Sequence, residues 1–141
     1  MGYTYYPTKT EVRISKESEE NILKGFMEYF VSIFSNPKDY RRDEYKSYYD
    51  SLHRDNHIAF VQCLEIADFK IDYSSETHHE LDFVAEFEAK QEYLDILYPH
   101  VELGSYIEYR GEDGDWIRDY FTSKGIERVK PEMIWPDVQI K

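Results

Sequence analysis

Residues 80–89 alternate between acidic and apolar side chains, and this pattern constrains the fold more than any other part of the sequence. Acidic residues stand at 80, 82, 86 and 88, the residues alternating with them are Leu81, Phe83, Ala85, Phe87 and Ala89, and Val84 is the one apolar residue in the acidic register. Successive side chains of a strand point to opposite faces, so a period of two predicts a strand with one buried and one solvent-facing side. The chain therefore needs a sheet with one face covered by another layer.

The covering layer is predicted by a broad apolar stripe at steps of three and four residues. It recurs through residues 16–34, with members Ile22, Leu23, Phe26, Met27, Phe30, Ile33 and Phe34. Such spacing indicates an amphipathic helix, with Ser15 as its N-cap. A second helix is expected to open at Asn36-Pro37 and to present Tyr45, Tyr48, Tyr49 and Leu52 on one face.

The strand predictions begin with a short alternating segment at Thr8–Ile14. A longer strand is expected over Ile58–Tyr73, with a turn at Asp55-Asn56 before it. Its alternation changes phase at Ala67-Asp68, which we interpret as a β-bulge. Residues 58–63 alone fit a helix equally well, because short apolar runs do not discriminate.

The remaining pattern predicts a helix followed by three strands. The helix spans residues 91–98 and is stopped by Pro99, and the strands cover 105–110, 116–121 and 126–130. Asp113-Gly114 is typical of a hairpin turn, and Pro131 and Pro136 bracket an edge strand or tail at 132–135. The order β-α-α-β-β-α-β-β-β favours a single α+β domain over residues 1–141. We expect a two-layer sandwich with helices on one face of a largely antiparallel sheet, and its first elements fit a ferredoxin-like core.

The charge is uneven along the chain. The formal net charge is −12, and residues 57–105 contain 2 Lys or Arg against 11 Asp or Glu. Such an excess disfavours direct binding to nucleic-acid phosphates. The strand period places six carboxylates on one side of the central hairpin, with only Lys70 interrupting them, and we predict that they bind a partner: Asp68, Asp72, Glu80, Asp82, Glu86 and Glu88.

Tyrosine is abundant, with 14 among 141 residues. Tyr3, Tyr5 and Tyr6 crowd the amino terminus, where side chains are seldom core, so we add them to the predicted partner-binding set. The tyrosines at positions 40–49 fit an interface or a half-buried boundary layer equally well.

Motifs for catalysis or metal binding are not recognisable, so we expect no enzyme activity and no cofactor. Cys63 lies in an apolar run and reads as a small buried residue. We expect Asp55-Asn56 to break any helix between His53 and His57, and we interpret His78-His79 as surface residues of a connection. No ligand spacing among them matches a metal signature.

These observations lead to a functional expectation. We expect a soluble, cytoplasmic, acidic module that engages and blocks a basic surface of another protein, such as a nuclease or toxin, in the manner of an inhibitor, immunity protein or nucleic-acid mimic. Two alternatives stay open: a small-molecule binder or enzyme with a pocket between helices and sheet, and a homo-oligomer subunit. A membrane partner is not expected, because no apolar run is long enough to span a bilayer.

Overall fold

A computed structural model describes residues 3–132 of the chain. The predicted edge or tail segment at 132–135 lies outside the described residues except for Glu132. Two 3-10 turns, Lys16–Ser18 and Tyr98–His100, flank the main elements. These elements are, in chain order, β1 (Tyr5–Ser15), α1 (Glu19–Phe34), α2 (Arg42–Asp50), α3 (Asn56–Ile66), β2 (Phe69–Ser74), β3 (His78–Phe83), α4 (Gln91–Leu97), β4 (Tyr106–Gly111), β5 (Trp116–Thr122) and β6 (Gly125–Val129).

The six strands form one antiparallel sheet in the order β2-β3-β1-β4-β5-β6. β1 and β2 run parallel with β3 between them, and β3 and β4 run parallel with β1 between them. The helical connections from β1 to β2 and from β3 to β4 thus each join two parallel strands that have one antiparallel strand between them. This is the split βαβ arrangement of ferredoxin-like cores. The predicted α+β sandwich is confirmed.

The hydrophobic core lies between one face of this sheet and the helices. Val12 lies opposite Leu81 and Ile14 opposite His79 in the ladder between β1 and β3, and all four side chains are buried. The alternate positions Glu11, Arg13 and Glu80 are exposed on the other side. That second side is called the open face below.

The expected strand over Ile58–Tyr73 is wrong in its first part, because residues 56–66 form helix α3, which is the alternative left open for 58–63, while Phe69–Ser74 is strand β2. The Asp55 carboxylate caps this helix by accepting a hydrogen bond from the Ile58 amide at 3.0 Å. Asp68 ends the connection in the left-handed region, at a φ of 64°. The phase change at Ala67-Asp68 is therefore a change from helix to strand and not a bulge. A register shift does occur further on in β2, between Ile71 and Tyr73.

Other boundaries also differ from the prediction, and β1 spans Tyr5–Ser15 where Thr8–Ile14 was expected. α2 begins at Arg42 because side chains occupy the preceding amides: Asn36 accepts from the Lys38 amide and Asp39 from the Arg41 amide. β3 ends at Phe83, where its ladder with β2 also ends. Residues 84–90 form a loop, and Phe87 is 56% exposed although the alternation places it in the core.

Candidate functional site

A groove lies on the open face of the sheet. It has a volume of about 540 Å³ and lies across β1 and β3, bounded by the end of β2 and by residues 102–106. Five carboxylates line it, namely Glu11, Asp72, Glu80, Asp82 and Glu102. These five residues define the acidic groove. Three of them, Asp72, Glu80 and Asp82, belong to the partner-binding set predicted from the sequence.

Few of these charges are neutralised within the molecule. Among residues 3–132, Arg13 is the only cation that lines the acidic groove, and it pairs with Glu102 at 3.5 Å. Glu11 pairs with Lys9, also at 3.5 Å. No ion pair within 4 Å involves Asp72, Glu80 or Asp82 in the described part of the chain. Lys70 lies opposite Asp82 in the β2–β3 ladder, as the period of two requires.

The other predicted carboxylates do not join this groove. Asp68, Glu86 and Glu88 line a separate cavity of about 410 Å³ beside Lys90 and Tyr93. Glu88 also contacts Arg128, whose Nε donates to Asp119 at 2.8 Å. The structure therefore does not bring all six carboxylates to one face, because β3 ends at Phe83 and the loop turns the last two away.

The amino-terminal tyrosines are engaged within the molecule. The rings of Tyr3 and Tyr5 meet edge to face at 4.9 Å, and both hydroxyls contact the carboxylate of Asp115. The hydrogen bond to Asp115 raises the pKa of Tyr3 to about 12. Tyr6 lies 6.0 Å from Phe87 by ring centroids, and both side chains are exposed. Tyr6 thus remains the most available of the three for a partner.

The tyrosines of α2 belong to the boundary of the core. Tyr45 is buried, and its hydroxyl lies 3.1 Å from that of Tyr93. Tyr48 packs on Phe30 with ring centroids 5.8 Å apart. Desolvation raises the pKa of Tyr93, as expected for a phenol removed from water. For Tyr45 and Tyr48, these contacts support a half-buried boundary layer rather than an interface with a partner.

Sequence reasoning missed a hydrogen-bonded cluster at the tip of the β2–β3 hairpin. His79, expected on the surface, is 3% exposed and lies between Ser74 and Glu19, while His57 contacts the other oxygen of Glu19. His57 is the second residue of α3, and the Asp55-Asn56 break from His53 is as expected. The alternation of β3 carries a signal for His79, since it falls at an inward position with Leu81 and Phe83.

Other chemical candidates are limited. Cys63 is buried, and desolvation raises its pKa to about 12, which fits the predicted buried role. Within residues 3–132, no three His, Cys, Asp or Glu side chains are grouped to hold a metal ion. No helix in that range is both long and apolar enough to cross a membrane.

No protein-family model, curated protein or solved structure matches this chain.

Proposed function

We propose that this chain is an acidic binding module whose acidic groove receives a basic surface of another protein. The supporting observation is that three carboxylates, Asp72, Glu80 and Asp82, share the groove and that no cation of residues 3–132 pairs with any of them within 4 Å. Negative charges held together in this way repel each other and cost stability, and a cationic partner relieves that cost.

The geometry of the strands favours a partner with several cations. Glu80 and Asp82 stand two residues apart on β3, and Asp72 lies on the neighbouring strand β2. Neighbouring strands lie about 4.8 Å apart, so these three carboxylates fall within one Debye length of each other. Arginine suits such a site best, because its planar group binds carboxylates through two parallel hydrogen bonds.

A blocking role follows if the basic surface of the partner is itself a functional one. A nuclease or a cationic toxin uses such a surface to bind phosphates or membranes. An acidic module seated there would compete for the same cations, in the manner of an inhibitor, an immunity protein or a nucleic-acid mimic. Association would be fast at low ionic strength and would slow as salt screens the charges.

The test compares two sets of neutralised carboxylates. The groove variant is Asp72→Asn with Glu80→Gln and Asp82→Asn, and the control is Glu20→Gln with Glu28→Gln and Glu65→Gln, all exposed on the helices. Both change the net charge equally. Each protein is immobilised, exposed to host extract at low and moderate salt, and the bound proteins are identified. The Kd of a synthetic peptide with four arginines is then measured at about 10 mM and about 100 mM salt, where the Debye length is about 30 Å and about 10 Å.

We expect one basic protein on the wild type and the control, and its loss from the groove variant. The arginine peptide should bind the wild type and the control with the same Kd and bind the groove variant with a higher Kd. For all three proteins the Kd should rise with salt. Equal binding by the groove variant and the control would refute the role of the groove and leave only net charge. A metabolite retained in native mass spectrometry, with no basic protein captured, would favour the small-molecule alternative.

A further inference from the structure

A serine and a histidine near the tip of the β2–β3 hairpin form one hydrogen-bonded chain with the glutamate that begins α1. The Ser74 oxygen lies 2.6 Å from Nδ1 of His79, and Nε2 of His79 lies 2.9 Å from Oε2 of Glu19. Ser74 is exposed, while His79 is buried against the ring of Phe60 at a centroid distance of 5.9 Å. An accessible hydroxyl is thus joined to a fixed imidazole.

The bulge in β2 is what brings Ser74 to His79. Phe69 and Ile71 point toward the helices, so an uninterrupted alternation would send Ser74 to the open face. The register shift between Ile71 and Tyr73 reverses the alternation, and Ser74 becomes the partner of His79. Tyr73 is turned to the other side and is 60% exposed. Bulges commonly re-aim a side chain next to a functional site.

The hydrogen-bond pattern fixes the tautomer of His79. A carboxylate accepts but cannot donate, so Nε2 carries the proton that is donated to Glu19. Nδ1 of the neutral ring is then the acceptor, and the Ser74 hydroxyl donates to it. Partial burial raises the pKa of Glu19, but hydrogen bonds with His79 and His57 outweigh it and lower the pKa below its ordinary value. Glu19 therefore stays ionised and holds the ring in place.

We infer that Ser74 is an activated nucleophile that reacts with carboxylic esters, with His79 as its general base and Glu19 as a positioning residue. A nucleophile, an adjacent base and a third group that orients the base are the recurring signature of covalent catalysis. The Ser74 oxygen bonds to the ester carbonyl carbon as its proton moves to Nδ1. The bond between the carbonyl carbon and the leaving oxygen breaks, and that oxygen takes the electron pair and the proton from Nδ1 and departs as an alcohol or phenol. Neutral His79 then takes a proton from water as the water oxygen bonds to the acyl carbon, and the acid is released while the proton returns to the Ser74 oxygen.

The surroundings of Ser74 also define the substrate charge. Glu76 lies in the turn of the same hairpin and is exposed. Its carboxylate repels an anionic ester and tolerates a neutral or cationic one.

The experiment uses p-nitrophenyl acetate, a neutral ester whose product is coloured. Release of p-nitrophenolate is followed, and the acetylated residue is located by peptide mass spectrometry. We expect acetylation of Ser74 and its loss in Ser74→Ala. Ser75→Ala is the matched control and should react as the wild type does, because Ser75 only accepts from the amides of Thr77 and His78. The rate should fall about 100-fold or more in His79→Gln, the usual contribution of a general base.

Two further measurements separate chemistry from folding. Thermal unfolding shows whether His79→Gln is folded, and where it is not, the pH profile of the wild type decides. Acetylation of Ser74 should slow toward acid pH, since an imidazole with both nitrogens protonated cannot accept the serine proton. Glu19→Gln should change this pH profile, which a purely structural role would leave unaltered. Acetylation at the rate of other exposed serines, or a rate of Ser74 acetylation that does not fall toward acid pH, would overturn the inference. The inference does not depend on the acidic groove. The peptide-binding test of the groove and the acetylation test of Ser74 therefore have independent outcomes.

Discussion

Arg13 lies directly opposite Glu80 in the ladder between β1 and β3, but its guanidinium pairs with Glu102 instead. The backbone explains the choice, because the Glu102 amide donates to the Arg13 carbonyl at 2.8 Å and so holds Glu102 beside it. Glu80 is left without a cation partner within 4 Å in the described structure. Arg13, the only cation of residues 3–132 that lines the acidic groove, is thus paired with Glu102 and not with a carboxylate of β3.

Removal of that charge should strengthen cation binding. Arg13→Gln deletes a repulsion of about 1 kcal/mol at contact distance in water, so the arginine peptide should bind about fivefold more tightly at low salt. The free energy of unfolding should change by less than about 1 kcal/mol, because exposed ion pairs contribute little. Fluorescence anisotropy and urea denaturation measure the two quantities. Weaker peptide binding would mean that Arg13 contacts something other than the carboxylates.

The ends of the predicted strand at 80–89 should respond very differently to truncation. Phe83 is buried, with its ring 5.0 Å from that of Phe69, so Phe83→Ala should lower the free energy of unfolding by about 3–5 kcal/mol. Phe87→Ala is the matched control, since Phe87 is exposed in the loop, and it should cost less than about 1 kcal/mol. Urea denaturation of both variants checks this. An equal loss of unfolding free energy in the two variants would show that Phe87 is buried in the core, as the alternation predicts.

Cys63 should be unreactive in the native protein. Its side chain is buried in α3, and desolvation raises the pKa to about 12, so almost no thiolate exists at pH 8. Iodoacetamide should therefore modify Cys63 only after unfolding, and the labelling should follow the urea transition. Fast labelling of the folded protein would place the thiol in an accessible site.

Glu19 should make the stability depend on pH. Its folded pKa is lower than the ordinary value of 4.5, so its contribution is present above that value and disappears as the pH falls through the folded pKa. Glu19→Gln should therefore be less stable than the wild type at pH 7, and the difference should shrink in acid. Thermal unfolding across this range tests the sign. A constant difference at all pH values would show that only packing is lost.

The sequence predicts those features that local spacing determines. The stripe of α1, the helix 91–98 and the last three strands fall where the pattern places them, because each element carries its own period. α3 was misassigned because its helical and strand periodicities compete over a short apolar run, although Asp55 supplied a capping signal. The groove was half predicted, since Asp72, Glu80 and Asp82 follow the alternation while Glu86 and Glu88 lie beyond the last ladder pair. The contact between Glu19 and His79 joins residues 60 positions apart, which no local pattern contains.

The central position of β1 has a consequence for synthesis on the ribosome. β1 is made before both of the strands that pair with it, which are β3 at residues 78–83 and β4 at residues 106–111. The growing chain can form α1, α2 and α3 locally, while β1 waits with both edges unpaired. Unpaired strand edges invite intermolecular pairing. Charged residues alternate along β1, Glu11 and Arg13 among them. Their charges disfavour intermolecular pairing of the nascent strand before β3 and β4 are available.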